Sequence, residues 1–345
     1  MVNIEFPIKL AKNRVWRTYQ GGAKLNDLQN RNDDIYFPEE WIASTVVARN
    51  VGREHIQNEG LSVLEANENI SLKDIIEQNH TQCLGDKSNM GVLVKIIDSS
   101  ERLTIQVHPD KTKAMELFSS EYGKTESWYI LNKPNEGKQP YIYLGFKEGV
   151  TREHWKHLFD TQNIEGMLEC LHKFDVKEGD TVLIEGGIPH AIGENCFLLE
   201  TQEPTDYTIR VEKTTPAGLT IADSMCHQGL GFDKMFDCFN YDGKSRQETY
   251  DKWFIKPTNI SEEITGIIDI PFFGAQKIEV DGNLKLNLND EFSVLYVLEG
   301  EGELKVGDKV EKISASDQLF VPSIIKELEF NSTTPLKIVQ CFGPK

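Results

Sequence analysis

The chain has no Cys-x-x-Cys pair, no apolar run approaching the length of a membrane span, no excess of basic residues and no histidine beyond His227. Each absence removes a class of function. The six cysteines, Cys83, Cys170, Cys196, Cys226, Cys238 and Cys341, are scattered at irregular intervals, which fits free thiols in a reducing compartment and not a disulfide-stapled secreted module. A bilayer span needs about 20 consecutive apolar residues, and the opening Met-Val-Asn-Ile-Glu-Phe-Pro has no basic stretch leading into an apolar core. A cytoplasmic protein is expected. Acidic residues outnumber basic ones 55 to 37, and the net charge of −18 repels phosphate backbones and anionic lipid surfaces alike. Nucleic acid and membranes are therefore not expected partners. A length of 345 residues with 39% hydrophobic content is enough for two domains with their own cores.

What the chain does have is a concentration of chemistry between Lys95 and Gly193. Alternate residues of a strand share a face, so Gln106 and His108 in Ile-Gln-Val-His-Pro point together, and Pro109 ends that strand by removing a ladder donor. Glu126 opens a second run of strand composition, Glu-Ser-Trp-Tyr-Ile-Leu. His190 follows a Gly-Gly turn after a third, Thr181-Val-Leu-Ile. Two imidazoles, a carboxylate and an amide oxygen suit a divalent first-row metal with one position open for water or substrate. The spacing follows the two cupin motifs: Gln/His-x-His with a downstream Glu, and Gly-x5-Pro-x-Gly-x2-His. Gly179, Gly187 and His190 are in register with the second, with Glu185 where proline is usual.

The same residues, with Val94-Lys95-Ile-Ile-Asp, Gly123-Lys124-Thr-Glu126-Ser-Trp-Tyr, Pro189-His-Ala-Ile-Gly193 and Leu199-Glu200-Thr-Gln-Glu followed by Arg210-Val, resemble the type I phosphomannose isomerases across about residues 90–212. The resemblance implies a zinc-dependent interconversion of mannose 6-phosphate and fructose 6-phosphate in a cupin barrel. It makes Gln106, His108, Glu126 and His190 the ligands of one Zn2+ and Arg210 the active-site arginine. It extends weakly to Glu39-x-Trp41-x-x-Ser44, where two readings stand side by side: Ser44 near the substrate, or a turn or edge hydroxyl with Trp41 packed in the core. After Arg210 the chain reads Lys213-Thr-Thr-Pro where many relatives have Tyr-Asp and a further arginine, so the phosphate contacts are not carried over.

The expected fold is mainly β, two cupin-type jelly-roll barrels with helical insertions. Residues 1–245 form the catalytic domain, with helices at about 110–120, 151–172 and 217–241, and residues 250–345 a cupin-like domain without metal ligands. Ser71 with Asp74 predicts a capped short helix. His154, His157 and His172 fall in helical periodicity, but nothing at ligand spacing completes a site with them. Asp206 to Glu212 alternates strictly and reads as a strand, with Arg210 on its polar face. The stretch around residues 242–248 reads as a linker. Turns are expected at Asp281-Gly, Glu299-Gly-Glu-Gly and Gly307-Asp, with a hairpin opening at Val294. In the second domain Glu327 stands where the first has His190.

Moving a proton between C1 and C2 of a sugar builds negative charge on the adjacent oxygens. A metal and Arg210 stabilise that charge, and Lys95, Lys124 and Arg210 supply a basic pocket for a sugar phosphate inside an acidic protein. Glu200, Lys124 and a metal-bound water are all candidates to carry the proton. Two other readings stay open at this point: a sugar-binding regulatory cupin without turnover, and a metal cupin oxygenase.

Overall fold

The structure, a computed structural model, describes residues 2–134 and 137–345. Its described strands form three sheets, and the alternation within single strands decides how they stack. In Glu126–Ile130, Trp128 and Ile130 face a core shared with Ile142, Leu144, Val182, Ile184 and Leu198, while Tyr129 faces the opposite way. Glu126–Ile130 lies third in a seven-stranded sheet ordered Phe254–Ile255, Thr181–Ile184, Glu126–Ile130, Phe197–Gln202, Leu93–Asp98, Glu39–Ile42, Arg14–Val15. Facing it is a five-stranded sheet ordered Leu171–Asp175, Tyr141–Phe146, His190–Ile192, Gln106–Val107, Ile209–Arg210. All the ladders in both are antiparallel.

The outer face of the five-stranded sheet, with Val107, Ala191 and Ile209, is covered by the helices Arg152–Asp160 and Ile164–Glu169 and by the short turns through Phe236 and Phe239. The outer face of the seven-stranded sheet, with Ile42, Val94, Ile96 and Leu199, packs on Val294, Tyr296, Phe320, Val339 and Cys341 of an eleven-stranded sheet. That third sheet is built mainly from residues 258–342. It also takes in Ile8–Leu10, which pairs with Gln318–Val321, and through it Val63–Leu64 and Asn67–Ser71. All six cysteines are buried free thiols. A chain cut after Ser245 would expose the apolar face that Tyr296 and Phe320 cover and lose buried Trp253 from the inner core. Leaving one large buried apolar side chain exposed costs roughly 1.5–3 kcal/mol, so a few such losses rival an ordinary domain stability of about 5–15 kcal/mol. We expect that chain to be insoluble or to unfold without a cooperative transition in urea; a soluble, cooperatively folded fragment would contradict this packing.

Several local expectations hold. Ser71 and Asp74 form a reciprocal capping box on Leu72–Gln78, and Asp110 caps Lys111–Phe118, whose Ala114 is buried. Others are corrected. Of the linker expected at 242–248, residues 242–245 lie outside any helix, but 246–248 open the helix Arg246–Trp253, started by a second capping box between Ser245 and Glu248. Asp281-Gly282 makes no turn: the strand Phe273–Asn287 runs through it, with a register shift where Gly282 adopts φ 97°. Ser293–Glu299 and Glu301–Val306 do not pair with each other, because the chain is redirected at Gly300, where a Cβ would lie 2.3 Å from the Pro335 carbonyl. The hairpin there is Glu301–Val306 with Lys309–Ser314, turning at Gly307 as expected. Of Asp206 to Glu212 only Ile209–Arg210 is strand, since Asp206 and Tyr207 are held by partners outside any ladder. His172 sits in a strand with Nε2 on the Lys244 carbonyl, apart from His154 and His157, which are exposed on their helix.

Candidate active site

Cross-strand register brings the predicted residues to one place. His190 is opposite Gln106, and Gln106 opposite Arg210, so these three share the inner face of the five-stranded sheet. His108 follows that strand two residues after Gln106. On the facing sheet Gln202 is opposite Glu126, Glu200 opposite both Lys95 and Trp128, and Trp41 opposite Lys95. Between the two faces lies a cleft whose walls include Gln106, Arg210, Lys95, Lys124, Glu200 and Asp206. Two glycines allow the approach of the His190 turn. Gly187 has φ 88°, and a Cβ on Gly186 would lie 2.5 Å from the Asp110 Cα.

His108, Glu126 and His190 are buried, and their ligand atoms lie within 4.8 Å of one another. His108 Nε2 is 3.2 Å from one Glu126 oxygen and His190 Nε2 is 3.5 Å from the other. Each ring turns its Nδ1 to a main-chain carbonyl at 2.8 Å, Tyr207 for His108 and Ile188 for His190. A carbonyl only accepts, so both rings carry the proton on Nδ1 and present a bare Nε2 lone pair. Burial, with Lys124 alongside, pushes His108 down to about 3, and burial lowers His190 too, so both imidazoles are neutral. Three acceptors therefore converge, and both Glu126 oxygens and His190 Nε2 have no hydrogen-bond partner. Such buried groups are costly unless a cation joins them. Ligands held at 2.0–2.2 Å by a tetrahedral ion lie roughly 3.3–3.6 Å apart, which the two observed separations approach. The cluster fits a metal ion. Lys124 Nζ, 3.1 Å from His108 Nε2 and 3.4 Å from Glu126, supplies part of the positive charge the cluster calls for.

Beside the triad runs a chain of buried charges. Lys95 Nζ is 2.9 Å from Glu200, whose other oxygen accepts from Trp128 Nε1 at 2.9 Å. Glu39 accepts from Tyr19 at 2.8 Å, from Trp41 at 2.7 Å, and from Arg17 at 2.9 Å; Arg17 also holds Asp206 through two bonds of 3.0 and 3.1 Å. Arg17, Tyr19 and Asp206 were not singled out as site residues in the sequence; Arg17 and Asp206 are 189 residues apart, so no local spacing announces the pair. Arg210, by contrast, bonds among the described residues only to the carbonyls of Thr208 at 3.2 Å and Met225 at 3.1 Å, and it lines the cleft without a bonded carboxylate among them. Ser44 is not in the wall: its hydroxyl closes a turn with Val46. Glu185, at the usual proline position, accepts from Trp253 Nε1 at 3.0 Å and pairs with Lys252. Glu327 is 44% exposed and pairs with Lys285, far from a ligand's setting.

Removing one member of a buried pair strands the other, at about 3–5 kcal/mol. Arg17→Ala is expected to destabilise the fold by about that much in urea unfolding; a loss under about 1 kcal/mol would mean that Asp206 and Glu39 find other partners. The same network predicts an acid limb. Burial would raise Glu39, but Arg17 and Lys95 outweigh it and hold Glu39 at about 2, with Asp206 lower still. A carboxylate depressed in the folded state stabilises it above the unfolded pKa. Stability should thus be full above about pH 4.5 and fall as the pH drops toward 2.

With this geometry in view, residues 47–131 match the family phosphomannose isomerase type I, catalytic domain, and residues 263–340 match mannose-6-phosphate isomerase, cupin domain. Both stretches are thus similar to phosphomannose isomerases. Two related members are the mannose-6-phosphate isomerase of Streptococcus mutans, 28% identical over 75% of this chain and 77% of that protein, and that of Bacillus subtilis, 25% identical over 90% of each. In fold, the crystal structure of the Bacillus subtilis mannose 6-phosphate isomerase superposes with a TM-score of 0.77 at 23% identity, covering 97% of this chain and 99% of that one. A Salmonella typhimurium phosphomannose isomerase variant gives 0.74 at 15% identity over 99% and 100%. The catalytic-domain match spans His108 and Glu126 and stops before His190, Glu200 and Arg210, so the register described above is what joins the two halves of the candidate site.

Proposed function

We propose that this chain interconverts mannose 6-phosphate and fructose 6-phosphate through an enediol, using one zinc ion held by His108, Glu126 and His190 with Gln106 beside them. The observation that carries the reading is the convergence of three buried acceptors, with His190 Nε2 and both Glu126 oxygens lacking hydrogen-bond partners, beside a cleft whose walls bear Gln106, Arg210, Lys95, Lys124 and Glu200. When bound, the metal supplies Lewis-acid polarisation of the sugar oxygens. The rest is done by side chains. Arg210, charged at any working pH and free of a carboxylate partner, stabilises the negative charge that develops as the C1–C2 oxygens exchange roles. Two groups are placed to carry the proton, Glu200 at its carboxylate and Lys124 at Nζ. Burial and nearby Glu126 raise Glu200, burial lowers Lys124, and both move toward the range where a group gives and takes a proton. The buried walls exclude water from the intermediate.

The same reading divides the chain at about 245–250. Residues 1–245 form a catalytic jelly roll and residues 250–345 a second one without metal ligands, completed by strands lent from the amino-terminal stretch. A small sugar phosphate is the partner, in the cytoplasm, where six buried unpaired thiols persist. A coupled assay on metal-replete protein with mannose 6-phosphate tests the function: fructose 6-phosphate should form, and its absence, with the sugar phosphate still bound, would turn the reading to a sugar-binding module.

A further inference from the structure

A second cavity, of ≈ 590 Å³, lies behind the catalytic sheet. Its position follows from alternation: Glu126, Trp128 and Ile130 point to the cleft side, so Tyr129 and Leu131 point away from it, and with Phe197 they form one wall. Leu298 and Glu299 of the eleven-stranded sheet form the other, and the helix Ala23–Gln29 closes one end. The volume is within the range of small-molecule sites, and the mixture of apolar walls with a few polar groups is what such sites contain.

The charges on its walls are unevenly matched. Glu299 is shared by Lys133 at 2.7 Å and Lys337 at 3.0 Å, and Lys277 pairs with Glu279 at 3.3 Å. Lys24 has no such partner. Its Nζ is buried, makes no hydrogen bond to any of the described residues, and sits 5.7 Å from the Phe197 ring centroid. Asp98 is its acidic neighbour, but that carboxylate accepts from the main-chain N–H of Lys24 at 2.7 Å and not from the ammonium. A buried ammonium without an acceptor is unfavourable by itself. An aromatic wall beneath it is half of a binding arrangement, because it leaves the ammonium's donors to be met by something else. Asp27 and Glu178 also lie on the wall, so a purely ionic, strongly hydrated anion is the less suitable occupant.

We propose that this cavity is a ligand site separate from the catalytic cleft, taking a small molecule with a flat apolar body and one anionic group. The apolar body lies against Tyr129, Phe197 and Leu298, and the anionic group accepts from Lys24 Nζ. Because the walls come from both the catalytic and the eleven-stranded sheets, the ligand joins the two and holds their packing.

The probe is 1-anilinonaphthalene-8-sulfonate, with uncharged N-phenyl-1-naphthylamine as its counterpart of the same body, titrated by fluorescence into the full metal-loaded protein. Saturable binding near one sulfonate probe per chain is expected. Lys24→Met, which keeps the length of the side chain and removes the charge, should weaken it about tenfold or more, the loss of one charge-assisted hydrogen bond. Lys24→Arg should retain most of the affinity, and the uncharged probe should not distinguish Lys24→Met from the unaltered protein. Displacement of the sulfonate probe by mannose 6-phosphate would place it in the catalytic cleft and overturn the proposal. Equal sulfonate affinity in Lys24→Met, or binding that never saturates, would also overturn it.

Discussion

His190→Ala is expected to remove metal binding and isomerase turnover together, leaving no more than the uncatalysed reaction. His190 Nε2 is one of three converging acceptors and has no hydrogen-bond partner, and its Nδ1 is already committed to the Ile188 carbonyl. Loss of the ring leaves His108 and Glu126, and no other histidine, cysteine or carboxylate among the described residues joins that group. His108→Ala should behave in the same way, with the added loss of its bond to the Tyr207 carbonyl. Metal content by elemental analysis, with near-ultraviolet circular dichroism to verify folding, checks both. Full metal retention in either folded variant would rule out the triad as the ligand set.

Arg210→Ala should give the opposite separation, with metal and fold kept and turnover reduced roughly 10²-fold or more, the range for removing one preorganised charge stabiliser. Arg210 is a good subject because little else depends on it. Its hydrogen bonds among the described residues are to two carbonyls, whereas Arg17, lining the same cleft, secures two carboxylates. A stability loss like that predicted for Arg17→Ala is therefore not expected for Arg210→Ala. Near-normal kcat in a metal-loaded Arg210→Ala protein would mean that the guanidinium has no part in the reaction.

The His108–Glu126–His190 cluster is legible in the sequence because its members lie at the ends of short strands, where local spacing governs direction. Gln106-x-His108, a glutamate opening a strand and a histidine after Gly-Gly each leave a mark within a few residues. The direction of Arg210 is not legible from alternation alone, since the polar face of Asp206 to Glu212 suits solvent as well as a cleft. Its ladder partner Gln106 decides it, and that pairing joins residues over a hundred positions apart. The Arg17–Asp206–Glu39 network is hidden for the same reason. The helix at 246–253 is a different case: Ser245 and Glu248 carry the spacing of a capping box, but the polar composition of the stretch masks it. Gly282, expected at a turn, sits at a bulge instead, because a glycine with positive φ serves a bulge as well as a turn. Which one forms depends on whether the next strand finds its partner across the sheet or beside it.

The most direct measurement is the titration of metal-free protein with zinc while the formation of fructose 6-phosphate from mannose 6-phosphate is followed. Activity should be absent at the start, rise in proportion to added metal, and break to a plateau at one equivalent per chain. Turnover by the metal-free protein, or no turnover after one equivalent has bound, would contradict the account.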